Sequence, residues 1–462
     1  MKTKINKIKA IDEKISSRGG LTLVLKYIEN IKLYELINSI VILKIYFGNK
    51  GLILQQFLKQ MFAYFIDGTD MSISGFDKKK QDKGYAAILE NTPNDMASSH
   101  QIKRMFSKFT VLHNVLYNKI LHELFIWRLK IEAPSKIILG IDTMVMDNDD
   151  SKKKEGCEVT YKRKKGFQPL HISWGVFLID VLFRNGKAHS NHGTDYIDRV
   201  TAIVELIRNR YSSEVPIILC ADSGFADQKA FGHFDDINIH FIVTSRIYKD
   251  VREYAGQMPP EQYNEITKDK LIWKYFEFAS KRGSWKRFRR SIFTTLSCDA
   301  TGQYLIGLGN KRTDNLIFTN IGTNETADKR LRNVESESFF SAENIISLSH
   351  QRGADELIHR SIKELATKEQ LPFKKMGMNR AYYFLLVISH FIFEAYKRDV
   401  TNDVISIGSY PNTFRRKVID FAAKVTSGAG YVILNVPRMI FKEFKIRDLW
   451  KRCQSPPVIQ FV

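Results

Sequence analysis

Two short apolar runs that each end in an aspartate constrain this chain more than any other feature. Ile137-Ile138-Leu139-Gly140-Ile141 leads into Asp142, and Val215-Pro216-Ile217-Ile218-Leu219-Cys220 leads through Ala221 into Asp222. Short β-branched runs of this kind read as strands buried on both faces, which belong to a sheet covered by helices. Open α/β sheets place their ligand sites at the carboxyl ends of such strands. Packing does not explain a carboxylate there, because an unpaired charge in an apolar interior is costly. Taken singly, each aspartate fits a strand-end turn or a salt bridge as well as it fits a site. As a pair on parallel strands, they suggest a site for a hard divalent cation such as Mg²⁺, which binds through a few carboxylates together with phosphate oxygens.

The remainder divides by texture. Through residue 133, apolar positions recur at helical spacing in Leu21–Leu43, Leu52–Phe65 and Leu112–Leu129. Ser98-Ser99 predicts an N-cap for a short basic helix, His100–Phe109, carrying Lys103, Arg104 and Lys108. Such a helix suits a DNA groove, though basic helices of this kind are more often solvated faces. From Pro134 the pattern becomes α/β, with further strand runs in His171–Phe183 and His240–Thr244 and a helical period over Asp195–Tyr211. Between 250 and 341, Trp273–Phe278, Ser291–Leu296, Tyr304–Leu308 and Asn315–Asn320 are separated by Gly, Asp and Asn and predict a β-rich insertion. Helices return over 342–400, and the tail, 401–462, holds a basic segment, Phe414–Lys424, and a strand-like Tyr431–Val436. The expected organisation is a helical DNA-binding or dimerisation region (1–133), an α/β core in two parts (134–249 and 342–400), the insertion (250–341) and a C-terminal region.

Seventy-one Lys and Arg against fifty Asp and Glu leave a net charge of +21. That excess points to a polyanion, since each phosphate neutralised releases counterions. Cys157, Cys220, Cys298 and Cys453 lie far apart with no CxxC pair, which speaks against a zinc site or disulfide framework and suits a reducing cytoplasm. No apolar signal core follows the basic start, and the most apolar stretch, Ala381–Phe393, is too short to span a bilayer, so no membrane partner is expected. It reads as a buried helix. Asp147, Asp149 and Glu158 match part of a calcium loop, but Lys152 stands where its glycine is required. No phosphate-binding loop or His-Glu-x-x-His zinc motif occurs.

A third carboxylate stands in Gln351-Arg352-Gly353-Ala354-Asp355-Glu356-Leu357-Ile358-His359-Arg360-Ser361-Ile362-Lys363. On a helix, Arg352, Glu356 and Lys363 fall within about 40° of one another. One face then presents a carboxylate for a metal between two cations for phosphates, or simply a set of surface ion pairs. His359, one turn beyond Glu356, reads as a residue that contacts the site or, more simply, as a surface histidine. Inside the β-rich stretch, Lys281–Arg290 carries six cations, two aromatics and no acid. Lys286, Arg287, Arg289 and Arg290 suit a phosphate backbone, while Trp285 or Phe288 can stack an unpaired base. A plain basic hairpin reads the same way. Arg246, after the fourth strand run, is a further phosphate candidate, and Lys152–Lys154 with Lys162–Lys165 form a second basic cluster.

In this order the motifs resemble the DDE insertion-sequence transposases, in the branch with a Tyr-x2-Arg-x3-Glu-x6-Lys signature. Arg352, Glu356 and Lys363 stand in its register, and Ser349 occupies the tyrosine position. Gly140-Ile141-Asp142-Thr143 and Ala221-Asp222-Ser223-Gly224-Phe225 look like the first and second aspartate motifs, and Asn185–Asn191 like the turn after the second strand. The likeness runs from about Arg18 to Phe444. It implies an RNase H-like core interrupted by the β insertion, with Asp142, Asp222 and Glu356 catalytic. It also implies two Mg²⁺ ions per site, for which Mn²⁺ can substitute, shared by Asp142 and completed by the other two carboxylates. The implied activity is cleavage of an insertion sequence's inverted-repeat ends and their joining to target DNA. A homodimer would act on double-stranded DNA in a prokaryotic cytoplasm, associated with the nucleoid. In relatives that form DNA hairpins an aromatic in the insertion holds a flipped base, which makes Trp285 the candidate. Two rival readings are a metal-dependent nuclease of the same fold and a non-catalytic DNA-binding descendant. The three intact acids argue against the second.

Overall fold

The computed structural model describes the chain from residue 5 onward apart from 6, 40–51, 110–112, 151–152, 189–194, 269, 284, 300–312, 352–353, 367–369 and 462. The expected run Tyr304–Leu308, Lys152 and Arg352 lie outside the described residues. The chain forms two compact units. One comprises Met1–Glu123, Asp150–Glu155 and Arg360–Val462, and the other Leu124–Asp149 and Gly156–His359.

The first unit is mainly helical, and its N- and C-terminal parts fold together. Its longest helix, Met376–Asp399, contains the apolar stretch 381–393 and is buried almost continuously from Ala381 to Lys397. Tyr382 meets the ring of Phe65 edge-on at 5.1 Å, and Phe384 stacks on Tyr117 at 5.1 Å. Among the described residues no helix is long and apolar enough to cross a membrane. The helix Leu54–Asp67 ends at Gly68, whose φ of 62° is left-handed. A Cβ there would fall 2.2 Å from the guanidinium carbon of Arg415, so glycine is required both for conformation and for space. Arg415 donates to the carbonyls of Ile66 (2.8 Å), Phe65 (2.7 Å) and Glu364 (3.0 Å) and to Asn412 Oδ1 (2.8 Å). The N-terminal part is not purely helical, because Ile15–Ser16 pairs with Ala423–Gly428, which in turn pairs with Tyr431–Asn435.

The second unit is built on a mixed sheet. Its strands in chain order are β1 (Ile137–Thr143), β2 (Leu170–Trp174), β3 (Phe177–Leu182), β4 (Ile217–Ala221), β5 (His240–Ser245), β6 (Asn264–Lys268), β7 (Leu271–Ser280), β8 (Arg289–Asp299) and β9 (Asn315–Thr319). They lie side by side in the order β6-β7-β8-β9-β5-β4-β1-β2-β3. β1, β4 and β5 are mutually parallel, and every other neighbouring pair is antiparallel. The helix Asp195–Arg210 forms the crossover from β3 to β4, burying Tyr196, Val200, Ile203 and Ile207 along one stripe. On part of the sheet, Ile218, Ile242, Ile292 and Ile317 form one core with Ile345 and Ile346 of the helix Ala342–Gln351. The β-rich stretch is therefore an extension of the main sheet. β9 pairs with β5 from Leu316↔Ser245 to Thr319↔Ile242, which carries the same hydrophobic layer onward.

Candidate active site

Backbone register brings the two aspartates together. Buried and half-buried residues alternate along β1, and Asp142 shares the half-buried side with Ile138 and Gly140. Ile141 of β1 lies opposite Ala221 of β4 in parallel pairing. Asp142 and Asp222 are thus the next residues along neighbouring strands, whose axes lie about 4.8 Å apart in any sheet. On the other side of β1, His171 of β2 lies opposite Asp142.

Each carboxylate is oriented by a nearby backbone amide. Thr143 N donates to Asp142 Oδ1 at 2.7 Å, and Gly224 N donates to Asp222 Oδ1 at 2.8 Å. The second bond exists because Asp222 caps the short turn Ser223–Phe225. Behind the site, buried Arg184 donates to Thr143 Oγ1 at 3.1 Å and to the Gln168 carbonyl at 3.1 Å. Burial holds its guanidinium down to about 10.

Glu356 stands in the first turn of the helix Ala354–Leu365, and its side chain lies outside the described residues. The position of its turn is given by His359. That imidazole places Nε2 3.9 Å from Asp142 Oδ2, and its ring lies 5.8 Å from the ring of His171. A surface histidine was the simplest expectation from sequence, but His359 is only 17% exposed. The correction follows from how the helix docks: Ile358, 3% exposed, turns inward beside it. Lys363 is half-buried on the same helix, and Ser349, at the tyrosine position of the signature, is buried on the preceding helix.

Tyr161 escaped the sequence reading. Partial burial and then the charges of Asp142 and Asp222 push its phenol above the usual tyrosine range, which places the hydroxyl within the field of both carboxylates. Its ring is 58% exposed in the turn that carries Lys162, Arg163 and Lys164. The signal available was an aromatic inside the second basic cluster.

Asp142 and Asp222 offer hard carboxylate oxygens, the donor type that Mg²⁺ takes, so the residues present suit a magnesium site. Among the described residues, no group of three His, Cys, Asp or Glu side chains is arranged to hold a metal.

The expected DNA-contacting residues separate by environment. Lys286 and Arg287 are exposed, as is Phe288 at 63%. Arg289 is ion-paired with Asp235, while Arg290 pairs with Glu277 (2.8 Å) and donates to the Ile321 and Phe340 carbonyls (both 2.9 Å), so both already serve the fold. Trp285 is 6% exposed, with its ring 4.9 Å from Phe318 and 5.4 Å from Phe231. It contributes to the lining of a cleft of about 730 Å³ with Ala226, Gln228, Tyr248 and Arg282. The Arg282 guanidinium stacks 4.9 Å from the Tyr248 ring in that cleft. Arg246 is exposed just beyond β5. In the first unit, Lys103 and Arg104 are exposed on the helix Ser99–Ser107, which opens with a capping box between Ser98 and Gln101.

A mixed α/β sheet with paired carboxylates at the ends of two parallel strands defines the class of the second unit. The chain belongs to the transposase DDE domain group 1 family, whose model matches residues 4–456. A cryo-EM structure of the piggyBac transposase synaptic complex with hairpin DNA is similar at 12% identity, covering 97% of this chain and 86% of that one, with a TM-score of 0.40. No curated protein matches the chain.

Proposed function

We propose that this protein cleaves the inverted-repeat ends of a mobile DNA element and joins them to target DNA, with Asp142, Asp222 and Glu356 as the catalytic carboxylates. The observation that carries this reading is the register of β1 and β4, which sets Asp142 beside Asp222, with the Glu356 turn beside Asp142 through His359. The sheet order β3-β2-β1-β4-β5, antiparallel in its first three strands and parallel in the rest, supports an RNase H-like core.

Two divalent ions, Mg²⁺ or Mn²⁺, would be held by these three side chains and would supply charge stabilisation and an activated oxygen nucleophile when bound. The amides of Thr143 and Gly224 hold the two aspartates in fixed orientation before substrate arrives, which limits reorganisation during the reaction. The Tyr161 phenol, raised by its surroundings, stays protonated at neutral pH and can donate to a phosphate oxygen. Lys286 and Arg287 of the second unit can neutralise a phosphate backbone, and Lys103 and Arg104 of the first unit offer further cations for DNA. The cleft at Trp285, Tyr248 and Arg282 is the place for an unstacked base, with Arg352 and Lys363 gripping phosphates near Glu356. A homodimer would hold the paired ends.

The test is incubation of pre-cut terminal-repeat DNA and a plasmid target with the protein and Mg²⁺. Joined product is expected, and cutting without joining would reduce the protein to a nuclease. Glu356→Gln should abolish cleavage and joining while leaving DNA binding intact; cleavage at the wild-type rate would remove Glu356 from the site.

A further inference from the structure

We infer that His359 is a positioning residue for the carboxylate site, orienting the outer oxygen of Asp142 and fixing the helical turn of Glu356 against the end of β1. The inference rests on reading Asp142, Asp222 and Glu356 as the metal-holding carboxylates.

The two oxygens of Asp142 have different surroundings. Oδ1 is held from within its own strand by the Thr143 amide. Oδ2 faces His359 Nε2 at 3.9 Å, about 0.7 Å beyond hydrogen-bond reach, so a small movement of either side chain closes the bond. The imidazole is also confined. It leans at 56° to the ring of His171, the residue paired with Asp142 across β1 and β2. Asp142, His171, Ser173, Leu178, Ile358 and His359 leave a cavity of only about 10 Å³ between them. That space holds one water at most, so on this side the imidazole is confined by its neighbours rather than by solvent.

The helix supplies the second half. Glu356 and His359 are three residues apart and lie on one side of it, so a contact made by His359 fixes where the Glu356 turn sits. Mg²⁺ demands near-ideal octahedral geometry at about 2.0–2.1 Å from each ligand oxygen. Groups that orient ligand carboxylates are worth roughly 10–100-fold in metal affinity elsewhere.

Two substitutions separate positioning from packing. His359→Gln keeps a polar nitrogen near the Nε2 position, and His359→Leu fills similar space without one. The full-length wild type, both variants and Glu356→Gln are titrated with Mg²⁺ alone by calorimetry. Thermal melting and the Mg²⁺ concentration for half-maximal cleavage are measured in parallel. His359→Leu is expected to melt near wild type yet bind Mg²⁺ about 10-fold or more weakly, with cleavage partly recovered at high Mg²⁺. His359→Gln is expected to stay close to wild type in all three. Wild-type Mg²⁺ affinity in a folded His359→Leu would overturn the inference, as would equal losses in both variants. Should His359→Leu fail to fold, loss of Mg²⁺ binding by a folded His359→Gln would overturn it, and retention would support it. Mg²⁺ binding unchanged in Glu356→Gln would sink the carboxylate reading itself, whereas binding lost there but kept in His359→Leu would remove only the role of His359.

Discussion

Asp142→Asn should make the metal-free protein more stable while it removes the activity. Asp142 and Asp222 end adjacent parallel strands, and the usual interstrand spacing of about 4.8 Å allows their carboxylates to approach within about 5–6 Å. Two unit charges at that distance repel by roughly 0.7 kcal/mol in water and about 3 kcal/mol at an effective dielectric near 20. Asp142 is 24% exposed, which puts the effect toward the lower end, about 1 kcal/mol. Asparagine keeps an Oδ1 to accept the Thr143 amide, so the local backbone bond survives. In EDTA the variant should melt about 1–2 °C above wild type. Mg²⁺ should reverse the order. With a dissociation constant near 1 mM, about 10 mM Mg²⁺ stabilises the wild type by roughly 1.4 kcal/mol and leaves the variant nearly unchanged. Differential scanning calorimetry with and without Mg²⁺ reads both effects. A variant that melts below wild type in EDTA would refute the paired-charge argument, and equal Mg²⁺ shifts in both proteins would refute the assignment of Asp142 to a metal.

Two further outcomes concern the first unit. Arg415→Met should lower stability by about 3–5 kcal/mol in urea unfolding, because the carbonyls of Phe65, Ile66 and Glu364 lose a buried charged donor; a loss under about 1 kcal/mol would show that water replaces it. Asp403 is chelated by Arg452 at 2.6 and 3.1 Å, and Arg452 followed by Lys445 holds its carboxyl down to about 2. A depressed folded value means its contribution is complete above the unfolded value near 4 and is lost as pH falls through about 2. Wild type and Asp403→Asn should therefore differ in urea midpoint at pH 6 and converge toward pH 2, and a gap that persists at pH 2 would assign the difference to something other than this charge.

What the sequence revealed follows the range of the interactions. The strand-end placement of Asp142 and Asp222 was legible because a strand run, its end and the residue after it are all local, and parallel register then sets the two side by side. How the β-rich stretch joins the fold was not, since whether Asn315–Thr319 starts a new sheet or joins an old one is decided by pairing with His240–Ser245, some seventy positions away. Tyr161 stayed hidden for a related reason: its turn is read locally as basic and solvated, and only the fold sets it in the field of the two aspartates.

The cations show most clearly what composition leaves out. A net charge of +21 treats every Lys and Arg as available to a polyanion. Within one ten-residue segment the structure sorts them into different kinds. Arg289 answers Asp235 of the helix Gln228–Asp236 and Arg290 answers Glu277 of β7, Arg282 lies between Tyr248 and Trp285, and Lys286 and Arg287 face solvent. Trp285 is buried by the same logic, because Phe231 and Phe318 come from distant elements that no local pattern announces. A basic stretch with aromatics is therefore two things at once here. Part of it is the packing that fixes a loop beside β5, and the exposed remainder is what that fixed loop can offer to a phosphate backbone. The first is a condition for the second, since a cation contributes more to a specific complex when its backbone is already held in place.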